Sequence, residues 1–159
     1  MSKLTLYNSL KTDLQTITGI KHVDLWRNQL ANEDKENPFL YPAIFIQFMP
    51  HPFREKGKAG STQEYDLIVR LHICFESYKD TDTDILTLTD DVFQKVHTKQ
   101  YGDFNKLLRR NEEQDFDHDN VQDYIQDYST LGHDTLASNT TTATLSPVIT
   151  ATINTAAQI

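Results

Sequence analysis

The 159-residue chain predicts an α+β fold: a mainly antiparallel sheet with a long central hairpin, an N-terminal helix, and a second helix packed on one face. Three observations carry this expectation. In residues 62–77, TQEYDLIVRLHICFES, Tyr65, Leu67, Val69, Leu71, Ile73 and Phe75 alternate with Glu64, Asp66, Arg70, His72 and Glu76. That period of two marks a long strand with one face in a core. In residues 42–49, PAIFIQFM, both faces are largely apolar, as in a central strand or one covered by a partner. Finally, Leu6, Leu10, Leu14 and Ile17, and later Ile85, Leu88, Val92 and Val96, recur at helical spacing.

Taken in order, Ser2 to Thr18 reads as the first helix, with Ser2 as its cap and Gly19 at its left-handed end. Ile20–Trp26 reads as a short strand, and residues 28–41 as a polar loop or surface turn ending near Pro38. Pro50 and Pro52 stop the Pro42–Met49 strand. Arg54–Thr62, REKGKAGST, is then expected as a basic loop at the tip of the hairpin. Asp80–Thr98 is the second helix, its stripe widened by Leu86 and Phe93. Asp80, Asp82 and Asp84 lie at its positive end, Lys95 and Lys99 at its negative end, and Gly102 closes it. Leu107–Asp119 and Val121–Tyr128 read as outer strands joined by a turn at 117–120. The composition changes after Leu131. This divides the chain into one α+β domain, 1–131, and a Thr/Ala-rich segment, 132–159, in which Leu145, Ile149 and Ile153 keep an alternating pattern. That segment reads first as a strand of its own domain, with an arm adding to a neighbour's sheet edge and a disordered tail as the alternatives.

Composition narrows the function. One cysteine, Cys74, excludes an internal disulfide, and within a strand pattern it reads as a small buried hydrophobe. The opening MSKLTLYNSL lacks the layout of a secretory signal. No apolar run approaches the ~20 residues that span a bilayer, so a soluble protein is expected. Residues 1–110 hold all 15 Lys and Arg and an equal number of acids, so the net charge of −8 sits after Arg110. Such a surface repels phosphate, which argues against specific nucleic-acid binding.

No catalytic motif emerges. Asp115, Asp117 and Asp119 imitate the opening of a calcium loop, but Asn120 stands where the turn needs glycine and Gln126 where a bidentate Glu belongs. They are the sharpest candidate metal ligands, and weak beside the reading of a solvated strand end. His118–Asp119 and His133–Asp134 spell dipeptides found in metal phosphohydrolases, with His72 and Asp91 as conceivable partners, but no supporting spacing accompanies them. His72, on the polar side of the long strand, is expected to be exposed or interfacial. Gly57–Thr62 has the wrong order for a phosphate-binding loop. No cofactor is implied, and an enzyme is not expected.

The helix LYNSLKTDLQTI, the strand YPAIFIQFMP with its Tyr-Pro entry, and EYDLIVRLHICFES leading into TDILTLTDDVFQKV together resemble the tail terminator (tail-completion) proteins of long-tailed bacteriophages. The resemblance covers the pattern of residues 4–130. It implies a virion protein assembled in the bacterial cytoplasm into a homo-oligomeric ring, usually a hexamer. Such a ring caps the tail tube and joins the head-side connector, with DNA passing through its lumen unbound. The interface residues expected on this reading are Arg54, Lys56, Lys58, Arg70, His72, Leu145, Ile149 and Ile153. Alternatives are a small intracellular binding module, another neck or tube-forming tail protein, and a metal-dependent phosphoesterase using the acids at 115–119.

Overall fold

A computed structural model of the chain describes residues 3–30, 39–56, 62–76, 79–115 and 120–135. Among them the elements run α1 (Lys3–Leu14), β1 (His22–Leu25), β2 (Ala43–Phe48), β3 (Phe53–Lys56), β4 (Thr62–Glu76), α2 (Asp82–Val96), β5 (Leu108–Asp115) and β6 (Val121–Thr135). The strands form one sheet in the order β1-β2-β4-β6-β5, with β3 also on β4. β1 and β2 are parallel and every other pairing is antiparallel. This is the α+β, mainly antiparallel architecture that the alternating patterns predict.

The sheet is organised on β4 and β6, which pair from Thr62↔Thr135 to Glu76↔Val121. On the other edge of β4, β2 lies against 69–74 and β3 against 62–65. The alternation of β4 sorts the molecule into two sides. Tyr65, Leu67, Val69, Leu71, Ile73 and Phe75 are buried in one cluster with Leu6, Leu10 and Leu14 of α1 and Ile85, Leu88, Val92 and Val96 of α2. Both helices therefore cover the same face of the sheet. Removing this apolar surface from water is the main stabilising term, at about 25 cal/mol per Å².

The elements differ from the sequence expectation at several ends. Arg54 and Lys56 belong to β3 and Thr62 to β4, so the basic stretch is mostly paired strand, and only residues 57–61 of the expected loop lie outside the described residues. Backbone pairing to β4 overrides the loop-like composition. α1 ends at Leu14 in tight bonds from Thr16 N–H to the Asp13 carbonyl and from Ile17 N–H to the Leu14 carbonyl. Gly19, at φ +97°, follows that turn rather than capping the helix. The expected cap Ser2 lies outside the described residues. β6 continues to Thr135, past the composition change at Leu131.

α2 begins with a capping box that the acid-rich reading overlooked. Thr81 Oγ1 accepts from the Asp84 N–H, and the Asp84 carboxylate accepts from the Thr81 N–H, which satisfies two otherwise orphaned donors. The expected stripe is buried except for Leu86, which is 58% exposed and does not widen it. Phe93 is half-buried, with the Arg109 guanidinium 3.9 Å from its ring centroid. The helix ends at His97 rather than at Gly102.

Just beyond that end, exposed Thr98 sits at φ +63° and donates its N–H to the Leu107 carbonyl at 2.7 Å. A β-branched side chain is disfavoured in this left-handed conformation. Thr98→Gly is expected to stabilise the chain by about 1 kcal/mol. A higher urea midpoint at unchanged slope would show it, and a lower midpoint would refute the strain argument.

Candidate functional site

The helix-free face of the sheet carries the densest polar arrangement among the described residues. On β4 it presents Glu64, Asp66, Ile68, Arg70, His72, Cys74 and Glu76, opposite the odd-numbered residues of β6. Near β1 and β2 this face has a small core of its own. Ala43, Phe45 and Cys74 are fully buried there, with Trp26, Leu30, Phe39, Tyr41 and Val121 packed against them. The rings of Phe39 and Trp26 meet Phe45 edge-on, at centroid distances of 4.9 and 6.0 Å, a favourable aromatic geometry.

His72 joins this core to the polar ladder. Its ring stacks on Trp26 at 3.9 Å with the planes 7° apart. Its Nδ1 lies 2.7 Å from Asp123 Oδ2 and its Nε2 lies 3.0 Å from Gln47 Oε1. Asp123, only 1% exposed, also accepts from Cys74 Sγ at 3.7 Å. Burial pushes the Cys74 thiol well above its ordinary value, and the neighbouring Asp123 charge adds to the effect. The sulfur is therefore held as a thiol, the less nucleophilic form. Both His72 nitrogens are already engaged, by Asp123 and Gln47, and among the described residues no hydroxyl bonds to them. The arrangement holds the face together, and among the described residues it forms no base–nucleophile pair.

One row along, Arg70 grips Asp127 with two bonds, Nε to Oδ1 at 2.8 Å and Nη2 to Oδ2 at 2.9 Å. Its Nη2 also lies 3.4 Å from Glu113 Oε1. Bidentate geometry of this kind fixes position as well as charge. Toward the far end of the sheet, Arg54 pairs with Asp66 at 3.0 Å and Lys56 with Glu64. The hydrogen bond from Lys56 holds the Glu64 carboxyl below its ordinary value. Of the basic side chains expected at an interface, Arg54, Lys56 and Arg70 are thus matched within the chain.

The structure brings Arg70 and His72 onto one face but does not expose them as expected. His72 is 5% exposed and Arg70 half-buried, because Asp123 and Asp127 come across from β6 and Trp26 closes over the imidazole. His133 and Asp134 point to opposite sides of β6: His133 is near Glu64, while Asp134 accepts from the Tyr65 hydroxyl on the helix side. Asp91 lies on α2, across the sheet from His72. Asp115 ends β5 opposite Asp123, whereas Asp117, Asp119, Lys58, Leu145, Ile149 and Ile153 lie outside the described residues. Among the described residues no group of three His, Cys, Asp or Glu is placed to hold a metal ion, and no helix is long and apolar enough to cross a membrane.

Asp123, Asp127, Gln47 and Trp26 were missed by sequence reasoning. The signal was present in the alternation Val121, Asp123, Ile125, Asp127, which needs only the β4–β6 register to set it against Cys74, His72 and Arg70. On the helix side, a cleft of about 380 Å³ opens beside the start of α2, lined by Lys21, Pro42, Phe75, Asp80, Asp84 and Leu88 among others. Asp84 is engaged in the helix cap and Asp80 accepts from the Glu76 N–H.

No protein-family model matches the chain, and no curated protein sequence matches it.

Proposed function

We propose that the chain is a structural subunit of a homo-oligomeric ring, hexameric in the tail-terminator arrangement, at the head-proximal end of a phage tail. In that role it caps the tail tube and meets the connector. The observation that carries the reading is the helix-free sheet face. Its side chains form paired ladders, Arg70–Asp127 and His72–Asp123, across the two longest strands, and Glu113 of β5 joins the first of them. Rigid, internally matched surfaces of this kind suit contacts between repeated subunits. The net charge of −8 suits a lumen through which DNA slides without sticking. Native mass spectrometry of the purified chain is expected to give a closed ring, with a hexamer the dominant mass. A strictly monomeric species at high concentration would count decisively against the ring.

The cleft beside α2 favours a second reading, a small binding module. Phe75, Leu88 and Pro42 line it together with Lys21, Asp80, Asp84 and Asp91, so that apolar contacts and convergent charges meet in one concave site. This reading requires a discrete ligand and no ring, so the same mass measurement separates the two.

A further inference from the structure

Among the described residues β5 is the outer strand of the sheet beyond β6, and its central residues Arg110, Asn111, Glu112 and Glu113 are exposed. Its sequence, LRRNEEQD, places two cations before Asn111 and two anions after it. Charge on an edge strand ordinarily discourages pairing. Here the order of the signs favours one partner, a second β5 running the opposite way.

The register shift between Arg109 and Asn111 decides which charges would meet. Arg109 and Glu112 stand opposite Tyr128 and Gln126, on the helix-covered side. Asn111 and Glu113 stand opposite Asp127 and Ile125, on the helix-free side. Arg110 is the extra residue of the bulge, and its Nε donates to Ser129 Oγ at 2.7 Å.

We propose that β5 is a self-pairing edge through which two copies of the chain join antiparallel about a two-fold axis at Asn111. Arg109 of each copy then faces Glu112 of the other on the helix-covered side. Arg110 of each lies beside Glu113 of the other on the helix-free side. Because a two-fold contact uses the same surface twice, every ion pair occurs twice. Sliding the strands by one pleat sets Glu112 against Glu112 or Arg109 against Arg109, which like-charge repulsion disfavours. A parallel arrangement fails in the same way. Within one chain Arg109 Nη1 already bonds Glu112 Oε2 at 2.7 Å, so pairing exchanges that contact for its equivalent between copies. The surplus of negative charge repels copies in general, and local sign matching selects this register.

This contact is independent of the ring reading. Ring contacts are head-to-tail, whereas a two-fold contact doubles whatever species carries it, a monomer to a dimer or one ring to two. The test is the mass of the full chain by sedimentation velocity in low-salt buffer, over a concentration series. Wild type is expected to double, and the doubling to weaken with salt. R109E/R110E and E112R/E113R are each expected to weaken it at least ~10-fold. An equimolar mixture of the two variants is expected to restore it, since an all-negative strand then meets an all-positive one. Should either double variant lose its native circular dichroism, R110E and E113R replace them, since both positions are exposed. Failure of wild type to double, doubling that survives in either variant alone, or a mixture that does not recover it would overturn the proposal.

Discussion

Asp123→Ala is expected to lower the unfolding free energy by about 2–3 kcal/mol, the upper part of the range for leaving a buried hydrogen-bonding group without its partner. For a domain of this size that corresponds to a fall of roughly 10 °C in Tm. Asp123 and the His72 side chain are 1% and 7% exposed, so water does not replace the lost carboxylate. The change strands His72 Nδ1 and removes the acceptor of the Cys74 thiol. Asp123→Asn keeps an acceptor at the same place and should cost about 1–2 kcal/mol. The double change His72→Leu with Asp123→Leu removes both polar partners together and should recover most of the loss. Urea unfolding followed by fluorescence provides the readout, because Trp26 is the only tryptophan and lies stacked on His72. A loss below 1 kcal/mol for Asp123→Ala would mean that the pair contributes little and that the aromatic cluster alone holds this face.

The same pair shows what the sequence makes legible and what it does not. Local periodicity is enough to place β2, β4 and α2, since the residues that share a face are two, three or four positions apart. It even identifies Ile85, Leu88, Val92 and Val96 as the buried stripe. It misjudges Leu86, because a side chain one position off that stripe turns to solvent near the start of the helix. The site is different in kind. Asp123 is 51 residues from His72 and Asp127 is 57 from Arg70, and only the antiparallel register of β4 and β6 brings them together. A histidine on a polar strand face looks exposed until a carboxylate from another strand and an indole from a loop are known to enclose it. The basic stretch after Pro52 fails as a loop for the same reason, because the unpaired edge of β4 draws Phe53–Lys56 into the sheet.

Gly132→Ala is expected to cost about 1–3 kcal/mol, the penalty for overpacking a filled interior. Gly132 lies opposite Tyr65 in the β4–β6 ladder. A methyl group built on it would come within 2.6 Å of the Tyr65 ring and 2.7 Å of Phe104. Neither ring has an easy retreat. Tyr65 is 1% exposed, with the rings of His51, Phe53 and Phe104 around it at 4.9, 5.1 and 6.4 Å. Burial, with Asp134 beside the hydroxyl, pushes the phenol up to about 12, a further mark of how closed the site is. An aromatic ring lying over a cross-strand glycine is a known way of filling the gap that the glycine leaves. Tyr65→Leu should therefore make room for the methyl group, so that the double variant loses less than the sum of the two single changes. Additive losses would show that the strain falls on the backbone of β6 instead. The site matters beyond stability, because Gly132 lets β6 continue against β4 as far as Thr135, where the strands carry Arg54, Lys56, Glu64 and Asp66. If Gly132→Ala shortens that pairing, hydrogen exchange should quicken at residues 62–66, beside Gly132, before it does at 69–74, farther along the ladder.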